Sequence, residues 1–455
     1  MTVKIDHTNL HRTAKYFMDS GRAASAEAAM DMLQGFGLTI LVGGNLSASA
    51  LHQTALLTLV NTARRTLLAG VEVVGLADCN CLSPLAEGSL ADAVTSLGGR
   101  IGDAPRNDWP MALIGDVAPV CDASASWRVT WEGWRAGVTP ARFNQRLNED
   151  SAIAIAPALA AAACAAEVFS FHAGDHQMAG RRSLGLSLWQ PGADWLANDA
   201  SEPALTYLPS SLWLVGLGNL GQAFAWLLGC LPYANRKDVE FVLQDFDRIG
   251  PSNDSTSLLS VSEDVEQRKT RVVSEWLETR GFTTTLEERR FGPATRRAHD
   301  EPTVALFGVD NAEARSHLEE AGFDLVVEAG LGGGPTAFRS FVLHTFPGSR
   351  TAKDIWSRDA GADTPSVEAM PAYQALKASR ADACGLTLLA SRAVGVPFVG
   401  LIAACLAISE LLRRLHGGAA FEFAAGSAVA LDTLETGLSA PVAYGHGYVG
   451  VKGAE

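Results

Sequence analysis

The sequence predicts an α/β protein of two similar units, each a mostly parallel sheet covered by helices. Three observations carry this. Strand-like apolar runs alternate with helical ones along both halves of the chain. A strand, a glycine turn, a helix and a second strand stand clearly at Leu212–Asp245 and recur, degraded, near the N-terminus. Between the copies, Gln190–Pro209 concentrates Pro191, Gly192, Asn198, Asp199, Ser201, Pro203 and Pro209, a density of turn formers that reads as a linker. With 455 residues and roughly 100–200 per domain, the chain can bury two or three full cores without disulfide or metal staples.

The first unit, residues 1–207, opens its repeat with Leu41-Val-Gly43-Gly44-Asn45-Leu46-Ser47, one residue shorter than its counterpart and with Ser47 where the third glycine would be. Val71-Glu-Val-Val then runs toward Asp78, Ala112-Leu-Ile-Gly ends at Asp116, and the apolar stretch Ala152–Phe169 reads as a buried helix. The second unit, residues 208–455, repeats the order. Leu212-Trp-Leu-Val-Gly216-Leu-Gly218-Asn219-Leu-Gly221 leads into the apolar run Ala223–Leu228, Val239-Glu-Phe-Val ends at Asp245, Ala305-Leu-Phe-Gly-Val ends at Asp310, and Val394–Leu415 is the second buried helix. The tail Phe421–Val451 is short, Gly-rich and β-prone, which predicts hairpins.

Charge and composition exclude several classes of function. Lys plus Arg is 36 against 50 for Asp plus Glu, a formal charge of −14 with no long basic run, so neither nucleic acid nor an anionic membrane is an expected partner. Met1–His7 lacks a charged segment followed by an apolar one, so no secretory leader is expected. Ala152–Ala166 and Val394–Ile408 are too short and too rich in small residues for membrane spans. Seven scattered cysteines without a CxxC pair indicate reduced thiols in a cytoplasmic protein and no four-cysteine zinc site. Cys79-Asn-Cys81 and His172-Ala-Gly-Asp-His176 have no further ligand nearby and read as structural.

The glycine turn points to a nucleotide. Gly216 would make the tight bend, Gly218 would let backbone approach a phosphate, Gly221 would let the helix pack against the strand, and Asp245 would hydrogen-bond a ribose. On this turn alone an NAD dehydrogenase is the default. The residues that follow point elsewhere. Asp245-Phe-Asp247 leads to Ser252-Asn253, then to Lys269 opening a helix, then to Asp310-Asn311 with Arg315 further on, and then to Gly395-Val-Pro-Phe-Val-Gly400 before the last helix. These motifs, in this order over about 200 residues, resemble the adenylation domain of ubiquitin-activating enzymes and of the ThiF and MoeB families. The resemblance implies two Rossmann-like, ThiF-type adenylation repeats, the first inactive and the second active.

By motif position it implies that Gly216, Gly218, Asn219 and Gly221 approach ATP, that Asp245 meets the ribose, that Asp247 and Asn253 line the site, that Lys269 meets the phosphates and that Asp310 holds Mg²⁺. Arg12, near the start of the first repeat, is the candidate for the arginine that reaches the partner repeat's ATP. One position departs from the pattern: where the family places a phosphate-binding arginine after Ser-Asn, this chain has Thr256, and a hydroxyl supplies neither the charge nor the donor fork of a guanidinium. Arg248, Arg268 and Arg12 are the candidates to compensate. Cys384, in Ser379-Arg-Ala-Asp-Ala-Cys384-Gly385 within a polar segment at about 350–390, lies where a thioester-forming enzyme would carry its nucleophile, and Arg380 would favour its thiolate.

The expected reaction is ATP-dependent adenylation of a ubiquitin-like protein's C-terminus, thioester formation and transfer to a conjugating enzyme. The resemblance extends to bacterial conjugation systems associated with antiviral defence. A sulfur-carrier adenylyltransferase without its own thioester, an NAD-dependent oxidoreductase and a catalytically silent scaffold remain alternatives.

Overall fold

The structure, a computed structural model, describes residues 9–119, 125–143, 145–150, 153–198, 201–356, 367–378, 389–440 and 444–452. The first unit contributes α1 (Ala14–Asp19), α2 (Ala26–Gln34), β1 (Gly37–Val42), α3 (Ala50–Ala63), β2 (Gly70–Val74), α4 (Leu90–Ser96), β3 (Arg100–Gly102), β4 (Met111–Ile114), β5 (Ser126–Glu132), β6 (Arg135–Pro140), α5 (Ile155–Ala173) and β7 (Leu184–Ser187). The strands form one sheet in the order β3-β2-β1-β4-β5-β6-β7, parallel through β5 and antiparallel beyond it.

The second unit contributes β8 (Tyr207–Pro209), β9 (Ser211–Val215), α6 (Asn219–Cys230), β10 (Glu240–Gln244), α7 (Lys269–Glu278), β11 (Thr283–Glu287), β12 (Val304–Phe307), α8 (Ala312–Ser316), β13 (Leu325–Leu331), β14 (Ser340–Phe346), α9 (Ala352–Trp356), α10 (Pro371–Ala378), α11 (Pro397–Leu415), β15 (Phe421–Ser427), β16 (Ala430–Leu438) and β17 (Tyr448–Gly450). Its sheet runs β11-β10-β9-β12-β13-β14-β15-β16, which repeats the first order strand for strand and adds β16.

Local chemistry explains the elements. β1, β4, β6 and β12 are buried along their whole length, because sheets covered on both faces demand continuous apolar runs rather than alternation. The edge strand β11 reads Thr-Thr-Thr-Leu-Glu and is largely accessible, which keeps an open sheet edge polar. Ser25 and Ser49 cap α2 and α3 by accepting the Ala28 and His52 amide protons. α5 ends at Gly174 in the left-handed region, and α11 starts with Pro397 in its first turn. α5, 19 residues long, is apolar enough to cross a membrane by length and composition, yet it is buried inside the protein. It packs against α3 and α11, and one hydrophobic core containing residues of all three runs through both units.

The tail departs in part from the expected hairpins. β15 and β16 form one, extending the second sheet, but β17 pairs back with β8 instead, tying the end of the chain to the linker.

Candidate nucleotide site

In the second sheet the chain leaves β9 toward β10 on one side and returns to β12 on the other. The crevice beyond the carboxyl ends of β9 and β12 is therefore a topological switch point, the usual place for a ligand in an open parallel sheet. Gly216 turns the chain there with φ of +82°, a conformation that favours glycine. A Cβ on Gly221 would sit 1.9 Å from the Gly216 carbonyl oxygen, so only glycine lets α6 start directly against the turn. Gly218 is the N-cap of α6 and a Cβ on it would face open space, leaving the first N–H groups of the helix accessible to an anion. Asn219 donates its side-chain N–H to the Val396 carbonyl at 3.0 Å, which joins the start of α6 to the start of α11.

Asp245, nearly buried, accepts the Leu217 amide proton at 2.7 Å and the Asp247 amide proton at 2.8 Å, so its carboxylate holds the glycine turn in place. Lys269 is 8% exposed, not a charge on a solvated helix face: its Nζ lies 2.9 Å from Asp247 Oδ2 and 3.8 Å from Asp245 Oδ2. A cation is thus presented at the crevice by two carboxylates. The Asn253 side chain accepts the Gly250 amide proton at 2.8 Å and closes the turn at Pro251–Ser255. Asp310 is exposed beyond the end of β12 and has no ion-pair partner among the described residues. Arg315 steadies its loop by donating to the Val309 carbonyl at 2.6 Å while pairing with the fully buried Glu328 at 3.3 Å. Magnesium takes one or two carboxylates and completes its shell with phosphate and water, so a solitary exposed carboxylate at this place fits it.

The first unit supplies part of this site. The Arg12 amide donates to Ser255 Oγ at 3.1 Å, and the Arg12 carbonyl accepts the Gly395 amide proton at 3.3 Å. Burial works most strongly against the Arg12 charge, the neighbouring Arg392 adds repulsion, and Asp310 offsets part of both. Arg12 therefore lies between the motifs named for the second unit. α1, which follows it, is tied to α10 by a buried cluster in which Lys15 Nζ reaches Asp19 at 2.6 Å and the Tyr373 hydroxyl at 2.8 Å. Arg248 and Arg268 spend guanidinium N–H groups on the Glu266 and Phe246 carbonyls.

A contact absent from the sequence reading is a buried arginine clamp. Arg65, just past α3, donates to the carbonyls of Asp254 (2.6 Å), Leu258 (2.9 Å) and Ser260 (3.0 Å) and meets the Asp254 carboxylate at 3.1 Å. Arg64 adds a 2.8 Å ion pair to the same carboxylate. The segment carrying Ser255 and Thr256 is thus held from the opposite unit. No local pattern marks Arg65, because its partners lie in the other repeat.

The corresponding place in the first unit is filled by its own side chains. A short helical turn at Gly44–Ala48 separates the glycine turn from α3, where the second unit has none. His52 Nε2 lies 2.9 Å from Glu149 Oε2, and Arg146 pairs with Glu149 at 2.7 Å and with Asp116 at 2.6 Å. Burial would raise the Glu149 carboxyl, but hydrogen bonds from His52 and Arg146 outweigh it and hold the group below the usual carboxylate range. Asp116, the counterpart of Asp310, is thus paired with Arg146.

Cys384 lies outside the described residues. Cys164, Cys230 and Cys405 are buried, and burial pushes the Cys230 thiol up to about 12, which marks these three as inert core residues. Cys79 and Cys81 are half-buried, and no cluster of three or more metal-ligating side chains occurs among the described residues. His172 pairs with the Gly37 carbonyl at 2.7 Å and His176 with Arg182 at 3.3 Å, so the two rings serve separate contacts.

Residues 37–188 match the family described as the BilD N-terminal domain and residues 208–418 the family described as the BilD C-terminal domain. A bacterial E1-like protein BilD from Collimonas sp. (strain OK412) is 64% identical over 449 residues, spanning 98% of this chain and 97% of that protein. A crystal structure of E. coli MccB aligns with 52% of this chain and 63% of its own at 14% identity and a TM-score of 0.32. Another, of E. coli MccB with ATP, aligns with 51% and 66% at 13% identity and a TM-score of 0.33.

Proposed function

The chain belongs to the BilD family of bacterial E1-like proteins and is an activating enzyme of that type; on that premise we propose that it adenylates the C-terminal carboxylate of a ubiquitin-like protein with Mg-ATP, captures the acyl group on Cys384 and passes it to a conjugating enzyme. The observation that carries the adenylation step is that Lys269 lies beside Asp245, whose carboxylate holds the glycine turn, while Arg12 reaches across from the first unit to Ser255 and feels the charge of Asp310. In that step a carboxylate oxygen attacks the α-phosphorus, the bond to the β-phosphate oxygen breaks, and pyrophosphate leaves. Negative charge grows on the departing group, so positioned cations lower the barrier. Gly218 and the first turn of α6 would receive the phosphates, Lys269 would supply charge, and Asp310 would hold magnesium, which when bound neutralises phosphate charge. Asp247, half-exposed beside Lys269, and Asp245 orient that lysine and the turn.

The second unit is the active one on this reading, because Gly218 of its glycine turn faces open space while the place beside the first unit's turn is taken by Arg146, Glu149 and His52. The first unit instead contributes Arg12 and the Arg65 clamp. In the thioester step the Cys384 thiolate attacks the acyl carbonyl and AMP leaves. A reducing, cytoplasmic setting suits such a thiol, and a role in bacterial antiviral defence belongs to the same proposal.

The first test compares thermal unfolding with Mg-ATP, NAD⁺ and NADH. Mg-ATP at 100 times its dissociation constant is expected to add about 2.7 kcal/mol of stability; stabilisation by NAD⁺ or NADH alone would overturn the adenylation reading. The cysteine step is checked separately. Cys384→Ala is expected to keep adenylate formation with the ubiquitin-like partner and to lose every thiol-reducible adduct; an unchanged adduct would remove Cys384 from the mechanism and favour a sulfur-carrier type of enzyme.

A further inference from the structure

We propose that Arg392 contacts the β- and γ-phosphates of the nucleotide and, with Arg12, forms the anion site that holds the departing pyrophosphate. The assignment rests on the adenylation reading above and deepens it.

Arg392 lies on the short connection that leads into α11. That connection is fastened on both sides: the Val394 amide donates to the Gly333 carbonyl at 2.7 Å, and the Gly395 amide donates to the Arg12 carbonyl at 3.3 Å. Thr13 Oγ1 adds a hydrogen bond to the Gly395 carbonyl at 3.1 Å. Gly395 itself rests on Thr256. A Cβ there would lie 2.8 Å from Thr256 Cγ2 and 3.4 Å from Arg12 Cβ, so the absence of a side chain is what lets the three segments close together. The connection that carries Arg392 is thus fastened beside Arg12 and Thr256.

Arg12 and Arg392 are close enough for their charges to repel. Neither guanidinium has a carboxylate in ion-pair contact among the described residues. Asp310 acts on Arg12 only at longer range. Two arginines brought together by backbone anchoring, one exposed and one half-buried, gain most from a multivalent anion spanning both forks. A triphosphate provides one. The other candidate cations differ: Arg248 and Arg268 are turned to backbone carbonyls, and Lys269 is paired with Asp247. Thr256 needs no charge of its own if the guanidinium arrives from residue 392.

The test measures binding of ATP and of AMP to the full chain in Mg²⁺, for wild type, Arg392→Ala and Arg392→Lys. AMP keeps the adenosine and α-phosphate contacts and lacks the groups assigned to Arg392. Arg392→Ala is expected to weaken ATP at least tenfold and to leave AMP within twofold, with Arg392→Lys between. Unchanged ATP binding in Arg392→Ala, or an equal loss for both nucleotides, overturns the assignment while the adenylation reading stands. Wild-type protein that binds neither nucleotide overturns both. Arg392 is exposed, so its removal is not expected to impair folding, and the melting temperature of the variants checks this.

Discussion

Asp310→Ala is expected to lower adenylate formation by about 10²–10³-fold, the usual cost of removing a group that stabilises transition-state charge, with no change in thermal unfolding. The reason is the position of this carboxylate. It is exposed and free of ion pairs among the described residues, so the fold does not depend on it. Its loop is held instead by Arg315, through the Val309 carbonyl and the buried Glu328. On the proposed mechanism added Mg²⁺ should tighten ATP binding in the wild type and should not do so in the variant. A fall in the melting temperature parallel to the fall in activity would show that Asp310 holds structure rather than metal.

Arg65→Ala should have the largest effect on stability, about 3–5 kcal/mol, because it strips partners from buried polar groups. The Asp254 ion pair is the smaller part of this: that carboxylate is 41% exposed and screened by solvent. The three carbonyls of Asp254, Leu258 and Ser260 dominate, since the guanidinium that satisfies them is 2% exposed and no water can replace it without a cavity. Denaturant titration measures the loss. Arg65→Lys keeps the charge but not the fork, so it should recover only part of it. ATP affinity should fall in both variants, because the clamped segment carries Ser255, the partner of the Arg12 amide. A loss under 1 kcal/mol would mean that the units do not depend on this clamp.

Much of the fold was legible because its signals are local. The strand, glycine turn and helix at Leu212–Gly221 are spelled out by neighbours in sequence, and positive φ at Gly216 is a property of one residue. α5 and α11 were legible because a helix apolar on all sides has to be buried. The repetition of strand order follows from duplicated motifs, since each βαβ crossover turns with the same hand. The pairing of β17 was not legible because strand pairing is non-local: Tyr448–Gly450 finds its partner in Tyr207–Pro209, at the other end of the unit's sequence.

The site divides along the same line. The sequence by itself determined which residues end the strands of the second unit, Asp245 and Asp310, and that Lys269 opens the next helix. These positions are fixed by register along one chain segment. Only the tertiary structure decided what each carboxylate does: Asp245 is committed to the glycine turn, Asp247 to Lys269, and Asp310 is left exposed. It also decided that Arg12 and Arg65 converge on one loop and that Arg146 and Glu149 fill the first crevice. A long cationic side chain carries no periodic signal, and its partners are set by the packing of two units around a shared core.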